Sequence, residues 1–278
     1  MSGILYMVST PIGNLEDITY RAVRTLKEAD LVAAEDTRNT RHLLDHFDIH
    51  TPMTSYHEFN KLDKAEDLIG RLESGQNIAV VTDAGTPGIS DPGWELVRMC
   101  LDRSIRVEGI PGPCAAINAL VTSGLSTVRF SFEGFLPKDK KELERVLSEL
   151  KDETRTFVIY EAPHHLVKTL ELLLDRLGDR RITLVREMTK LHEEIIPTTL
   201  QGALDLYSET DPRGEYVIVL AGKSKSELEK ERQLSFESMT LDEHMQMYLD
   251  QGLDKKDAMK KVAADRGVSK RDIYKQLL

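Results

Sequence analysis

Short apolar runs alternate with helix-period segments through the first 124 residues, and that alternation restricts the fold more than any other feature of the chain. Ile4–Val8, Leu31–Ala34, Ile78–Thr82 and Arg106–Ile110 read as buried strands. Between them, helices are expected from an Asp17 cap to Ala29, then over Arg41–Phe47, Lys64–Ser74 (closed by Gly75), Trp94–Arg103 and Ala115–Gly124. Strands alternating with helices pair in parallel under helical cover. Ligands of such sheets bind beyond the carboxyl ends of the strands. Two stiff, small-residue loops fall at such ends. One is Val80–Gly93, with Gly85, Gly88, Gly93, Pro87 and Pro92; the other is Ile110–Ala116. They suit a small, flat or phosphorylated ligand, and hence an enzyme.

From Phe130 the pattern becomes richer in strands. Phe130–Phe135, Thr156–Tyr160, Arg181–Arg186, Glu193–Thr199 and Glu215–Leu220 read as strands of a mixed or antiparallel sheet. Helices are expected over Lys138–Lys151, Leu166–Leu177 and Leu200–Ser208. The domains expected are 1–123, 124–222, a polar linker over 223–240 and a helical tail over 241–278. The tail reads as Leu241–Gln251, Lys255–Arg266 and Ser269–Leu278, with Ser269 as a cap and with Ile273 and Leu277 closing a small core. Its spacing resembles a helix-turn-helix.

The 278 residues carry a net charge of −10, with 40% hydrophobic and 30% charged residues, as in soluble globular chains. No apolar run is long enough to span a bilayer, and the N-terminus has no basic lead of a signal peptide. A cytoplasmic location is therefore expected. Residues 251–278 hold eight basic and four acidic side chains, so the tail is +4 and the remainder −14. An acidic body with a basic appendage points to a local polyanion contact through Lys255, Lys256, Lys260, Lys261, Lys270, Arg271 and Lys275. The other reading is a solvated face on a packing module.

Phosphate-binding G-x-x-x-x-G-K-[ST], dinucleotide-binding G-x-G-x-x-G and the G-x-S-x-G elbow are all absent. His42 and His46, with Asp45 and His50, have a spacing that can grip a metal, but they read better as surface histidines, and no metal is expected. Cys100 and Cys114 are isolated and read as small buried hydrophobes.

Six segments occur in order: Ser9–Thr19, Glu35–Arg38, Thr82–Gly93, Pro111–Pro113, Glu161–His164 and Arg186–Lys190. Together they resemble the tetrapyrrole-methylase superfamily over about residues 4–222, and within it the branch that methylates a cytidine 2′-hydroxyl of small-subunit (16S) ribosomal RNA. The basic tail is similar to an extension seen in that branch. The resemblance implies an α/β class: two α/β domains with S-adenosylmethionine in the cleft between them, a small C-terminal helical module, and a homodimer acting on the small ribosomal subunit. It implies cofactor contacts from Pro11, from Asp83, Ala84, Gly85, Pro87, Gly88, Ile89, Ser90 and Asp91, and from Cys114, Ala115, Ala116 and Ile117. The second domain is expected to add Tyr160, Glu161, Ala162 and Pro163, then Glu215, Tyr216 and Val217.

Methyl transfer requires the acceptor oxygen in line with the methyl and sulfur, and a weakly acidic ribose hydroxyl gains from a base. Glu35, Asp36, Arg38, Glu187 and Lys190 are the candidates. Asp36 or Glu187 is expected to take the proton, and Arg38 or Lys190 to steady the oxyanion or a phosphate. Alternatively, these residues form structural ion pairs. Two rivals remain: the same fold acting on a porphyrinoid or protein acceptor, and a non-catalytic nucleic-acid-binding regulator.

Overall fold

Ten strands form two five-stranded sheets in the computed structural model, which describes residues 2–276 apart from 59, 60, 225, 229, 231–233, 235, 237 and 238. The first sheet has the order β3-β2-β4-β1-β5: β1 (Ile4–Val8), β2 (Leu31–Ala34), β3 (Met53–Ser55), β4 (Ile78–Val81) and β5 (Arg106–Ile110). Every pairing in it is parallel. Around it run α1 (Tyr20–Glu28), α2 (Thr37–His46), α3 (Lys61–Glu73) and α4 (Trp94–Asp102), while α5 (Ala115–Thr122) packs against the second sheet. Side chains alternate across the strands, which builds two cores from one sheet. Ala33, Ile78 and Val80 pack with Leu68, Leu72 and Leu96 on one face. Val32, Ala34, Ala79 and Val81 pack with Ala22, Leu26 and Leu44 on the other. Each fully buried Leu or Ile contributes about 1.5–3 kcal/mol through area removed from water.

The second sheet is mixed, as its less regular pattern suggests. It runs β6 (Phe130–Phe135), β7 (Thr156–Glu161), β10 (Tyr216–Leu220), β8 (Arg181–Arg186) and β9 (Glu194–Thr199) in space. Only β6 and β7 are parallel. Its helices are α6 (Lys140–Lys151), α7 (Pro163–Leu177) and α8 (Leu200–Leu206). Both sheets belong to one compact unit, Met1–Leu147 with Thr156–Ala221; Ser148–Arg155 and Gly222–Leu278 form a second.

Several element ends differ from the sequence reading. The cap of α1 is Thr19, whose hydroxyl accepts from the Ala22 amide at 3.1 Å, while Asp17 lies in a 3-10 turn over Leu15–Asp17. Helix α2 starts four residues early because Asp36 caps it, accepting from the Arg38 amide at 2.8 Å. Strand β3 was not expected; pairing with β2 creates it from a three-residue run. Helix α7 begins at Pro163, where a missing amide proton and a fixed φ suit the first helical position.

In the second unit α9 (Leu241–Asp250), α10 (Lys255–Asp265) and α11 (Lys270–Gln276) close over Met245, Ala258, Val262 and Ile273. Thr240 and Glu243 make a capping box, and Ser269 accepts from the Asp272 amide at 3.2 Å. The fully buried His244 receives Arg266 Nε on Nδ1 at 3.2 Å. Arginine has only donors, so His244 is the neutral tautomer with its proton on Nε2, directed at Asp265 at 3.2 Å. Leu277, expected in this core, and part of the 223–240 linker lie outside the described residues.

Candidate active site

A cavity of about 520 Å³ opens where the carboxyl ends of β1, β2, β4 and β5 face the second sheet. The first sheet brings Ile12, Glu35, the segment from Thr82 to Thr86, Ile89–Asp91, Cys114 and Ala115 to it. The second brings Phe135, Tyr160–Pro163, Val185, Met188 and Glu215–Val217.

Backbone geometry shapes the first wall. Gly85 has φ +87, and its amide and carbonyl exchange hydrogen bonds with Thr10 at 3.1 and 2.9 Å, pinning the β4 loop to the β1 loop. Thr86 adds a bond to the Pro113 carbonyl at 3.1 Å and shares another with Ser9 at 2.9 Å. Ser90 takes a left-handed φ of +64 without being glycine, a local strain at the cavity wall.

Two helix starts also meet the cavity. Cys114 caps α5 and Ala162 caps α7, and neither makes a side-chain capping bond. The partial positive charge of each helix start is thus directed at a ligand site. The Ala116 amide donates to the Tyr160 hydroxyl at 3.0 Å, tying α5 to β7. Burial pushes that hydroxyl up to about 12, so Tyr160 stays neutral.

The lining carries five carboxylates (Glu35, Asp83, Asp91, Glu161 and Glu215) and no lysine or arginine. Glu161 is spent structurally, accepting from the Ala162 amide at 2.8 Å and the Thr169 hydroxyl at 2.6 Å. Asp83 accepts from the Asp36 amide and the Asn39 side chain. Glu35 accepts the Thr82 hydroxyl at 2.7 Å. Burial pushes the Asp91 carboxyl up to about 6; a hydrogen bond with Thr82 opposes the rise, and the charges of Glu35 and Asp83 add to it. The phosphorylated ligand allowed by the glycine–proline loops does not suit such a wall. A cation does.

Fifteen of the twenty residues expected at the cofactor line this cavity; Pro11, Pro87, Gly88, Ala116 and Ile117 do not. Pro87 is buried, and Gly88 packs toward Met7 and Trp94. Helix periodicity separates the α5 residues: Ala116 packs against the second sheet, and Ile117 is 44% exposed. Ile12, Thr82, Thr86, Phe135, Val185 and Met188 are additions. Thr82 was legible as a strand-end residue and Thr86 as part of the glycine–proline loop, whereas the apolar four carry no local signal. Cys100 is buried in the core, its thiol raised to about 11 by burial, but Cys114 is half-buried and lines the cavity.

Of the five catalytic candidates only Glu35 lines it; Asp36, Arg38, Glu187 and Lys190 do not. Asp36 is clamped by Arg38 through bonds of 3.1 and 2.7 Å, which hold its carboxyl at about 2. Glu187, at φ +49, accepts the Glu215 amide and Lys190 Nζ, both at 2.9 Å, and is lowered first by the former. Lys190 Nζ also bonds Glu215 at 2.9 Å. A side chain on Gly214 would stand 2.4 Å from Glu187 Cγ, so the glycine is required there.

In the tail, Lys255, Lys256, Lys260, Lys261, Arg271 and Lys275 are exposed and Lys270 is half-buried. Lys260 pairs with Asp257 at 3.0 Å. Among the described residues no group of three or more His, Cys, Asp or Glu is placed to hold a metal, and no helix is long and apolar enough to cross a membrane.

A parallel sheet and a mixed sheet enclosing an acidic cleft at strand ends define a methylase fold of the tetrapyrrole class. Residues 4–204 match the tetrapyrrole (corrin/porphyrin) methylases, and the chain belongs to that family. The ribosomal RNA small subunit methyltransferase I of Halalkalibacterium halodurans is 48% identical over 98% of this chain and 93% of its own length. The protein of the same name from Bacillus subtilis is 46% identical over the same shares. Among solved structures, uroporphyrin-III C-methyltransferase from Thermus thermophilus, complexed with S-adenyl homocysteine, matches with a TM-score of 0.56 and 20% identity over 79% of this chain and 97% of its own. Diphthine synthase matches with a TM-score of 0.60 and 14% identity over 79% and 90%. Both structures support the fold alone.

Proposed function

We propose that this chain uses S-adenosylmethionine to methylate the 2′-hydroxyl of a cytidine in small-subunit ribosomal RNA. The observation that carries the reading is the acidic cavity. Five carboxylates and no cation suit a ligand with a sulfonium and an ammonium, and two helix starts whose cap residues make no side-chain bond suit its carboxylate. Its volume is in the range of small-molecule sites. Asp83 and Asp91 would meet the positive groups, and Ala84, Gly85, Cys114 and Ala115 would leave room for the flat ring. When bound, the cofactor supplies an electrophilic methyl. The identity of the acceptor follows the relatives' names, and the 2′-hydroxyl follows the motif resemblance.

Glu35 is the base this geometry favours. It is a carboxylate on the cavity wall, positioned by Thr82, whereas Asp36 and Glu187 are committed to other partners. Glu35 would take the proton that the acceptor hydroxyl loses on methylation, the methyl coming from the cofactor, which would depart as a neutral thioether. Arg38, with its side chain 87% exposed beside the site, would contact an RNA phosphate. The exposed cations of the tail would dock RNA, and two copies of the chain would form the working dimer.

Labelled methyl transfer to small ribosomal subunits lacking this modification tests the reading. An alkali-resistant linkage at a cytidine is the expected product. Cofactor binding without transfer to subunits or naked RNA would redirect the assignment to porphyrinoid or protein acceptors.

A further inference from the structure

A second pocket, of about 540 Å³, lies on the other face of the second sheet. Strand alternation separates the two sites: Val185 and Val217 line the cofactor cavity, whereas Arg186 turns to the opposite side. Tyr216 contributes to both. Its hydroxyl stands 3.1 Å from that of Tyr207 and accepts the Arg213 amide at 3.3 Å. The two tyrosine rings are perpendicular, with centroids 6.1 Å apart. Leu206 and Ile195, 47% and 41% exposed, supply an aliphatic wall.

Polar groups close the rim. Arg186 donates from Nε to the Arg213 carbonyl at 2.6 Å and from a terminal nitrogen to Glu194 at 2.8 Å. Exposed Arg213 and Asp211 join them, with Ile196 and Thr210 in the rest of the lining. Two arginines against two carboxylates leave the pocket without net charge. A phosphate site needs surplus cations, so this pocket is not one. Aromatic and aliphatic walls with both donors and acceptors at the edge fit an uncharged, flat heteroaromatic ring. Proteins read single-stranded RNA by holding splayed bases in such surroundings.

Continuity with the active site completes the argument. The segment Arg213–Tyr216 forms a common wall, with Glu215 facing the cofactor cavity and Arg213 facing this pocket. The two sites therefore lie within the reach of neighbouring nucleotides of one strand. We propose that the pocket holds one unstacked nucleobase of the RNA acceptor, a neighbour of the nucleotide that is methylated; the proposal rests on the RNA-methylating function above. The pocket then selects the acceptor sequence rather than the chemistry.

Steady-state methylation of unmodified small subunits tests this with the full chain and two variants at exposed positions, Arg213→Glu and Leu206→Ser. Each variant is expected to raise KM for subunits about tenfold, the size of one lost base contact. Its kcat and S-adenosylmethionine Kd should stay within about twofold. Unchanged KM in both variants overturns the proposal. So does a loss of cofactor affinity in step with KM, or a change of oligomeric state with RNA affinity intact, which would make the pocket an interface between copies. A wild-type chain that binds the cofactor but transfers no methyl to RNA instead overturns the function beneath it.

Discussion

Asp91 shows how one side chain can link the cavity's charge to pH. Its carboxyl ordinarily ionises near 3.8 and is pushed up to about 6, chiefly by burial. Between those values the folded chain holds a proton that the unfolded chain releases. Stability from this group is therefore present at low pH and lost as pH rises toward 6. Two outcomes follow. Asp91→Asn should melt at a higher temperature than wild type above pH 6, with the gap closing toward pH 4 in thermal scans. Calorimetry should also show S-adenosylmethionine binding weaken as pH falls through about 6, because a neutral Asp91 no longer attracts a cation. Binding that is flat in wild type across that range would show that Asp91 does not face the cofactor's charge.

Among the elements, the junction after β8 decides which carboxylates remain available. Glu187 and Thr189 both take left-handed φ values, of +49 and +64. The turn they make folds Lys190 back onto Glu187 and Glu215. It also sets Lys190 Cγ where a Gly13 side chain would be, at 2.5 Å, so the first β-turn region and the β8 loop interlock through glycine. Gly214, at φ +81, is the corresponding requirement on the β10 side. Gly214→Ala should cost about 1–3 kcal/mol through the left-handed conformation and the clash with Glu187. Cofactor affinity should fall with it, since Glu215–Val217 line the cavity. A denaturant melt and a binding isotherm on the same sample check both effects. Adding Glu187→Ala relieves the clash but not the φ strain, so it should recover only part of the loss.

These elements also show where sequence reasoning succeeds and fails. The extents of β1, β2, β5, β6 and β8 were legible because each is a bounded apolar or alternating run whose ends coincide with turn residues. Strand β3 was not, since three residues carry no periodicity and only the β2 edge makes them a strand. The α1 cap was misassigned between two good capping residues, Asp17 and Thr19, because the intervening 3-10 turn has no signature of its own. Cys114 reads as core by composition, and its place on a helix start brings it to a cavity instead.

At the scale of the whole molecule, the charge is divided. The tail carries +4 and the remaining chain −14. An acidic body repels bare RNA, so the RNA contact proposed above would fall to the exposed cations of the tail. Replacing Lys270 and Arg271 by glutamate should raise KM for ribosomal subunits and flatten its salt dependence, leaving cofactor Kd unchanged in parallel assays. Loss of cofactor affinity with RNA affinity intact would remove the tail from acceptor docking.

The order of strands and helices, the glycine–proline loops at strand ends, the absence of phosphate-binding motifs and the basic tail were all set by the sequence itself. Each depends on local periodicity or on residue types with fixed conformational preferences. Only the tertiary structure decided which of the candidate bases faces the cavity. Asp36 and Glu187 had the same chemistry as Glu35 on paper, but a helix cap and a left-handed turn gave them partners elsewhere. The cavity's charge, the shared wall at Tyr216 and the second pocket arise from residues far apart in the chain, brought together by sheet packing, and no spacing in the sequence records such distances.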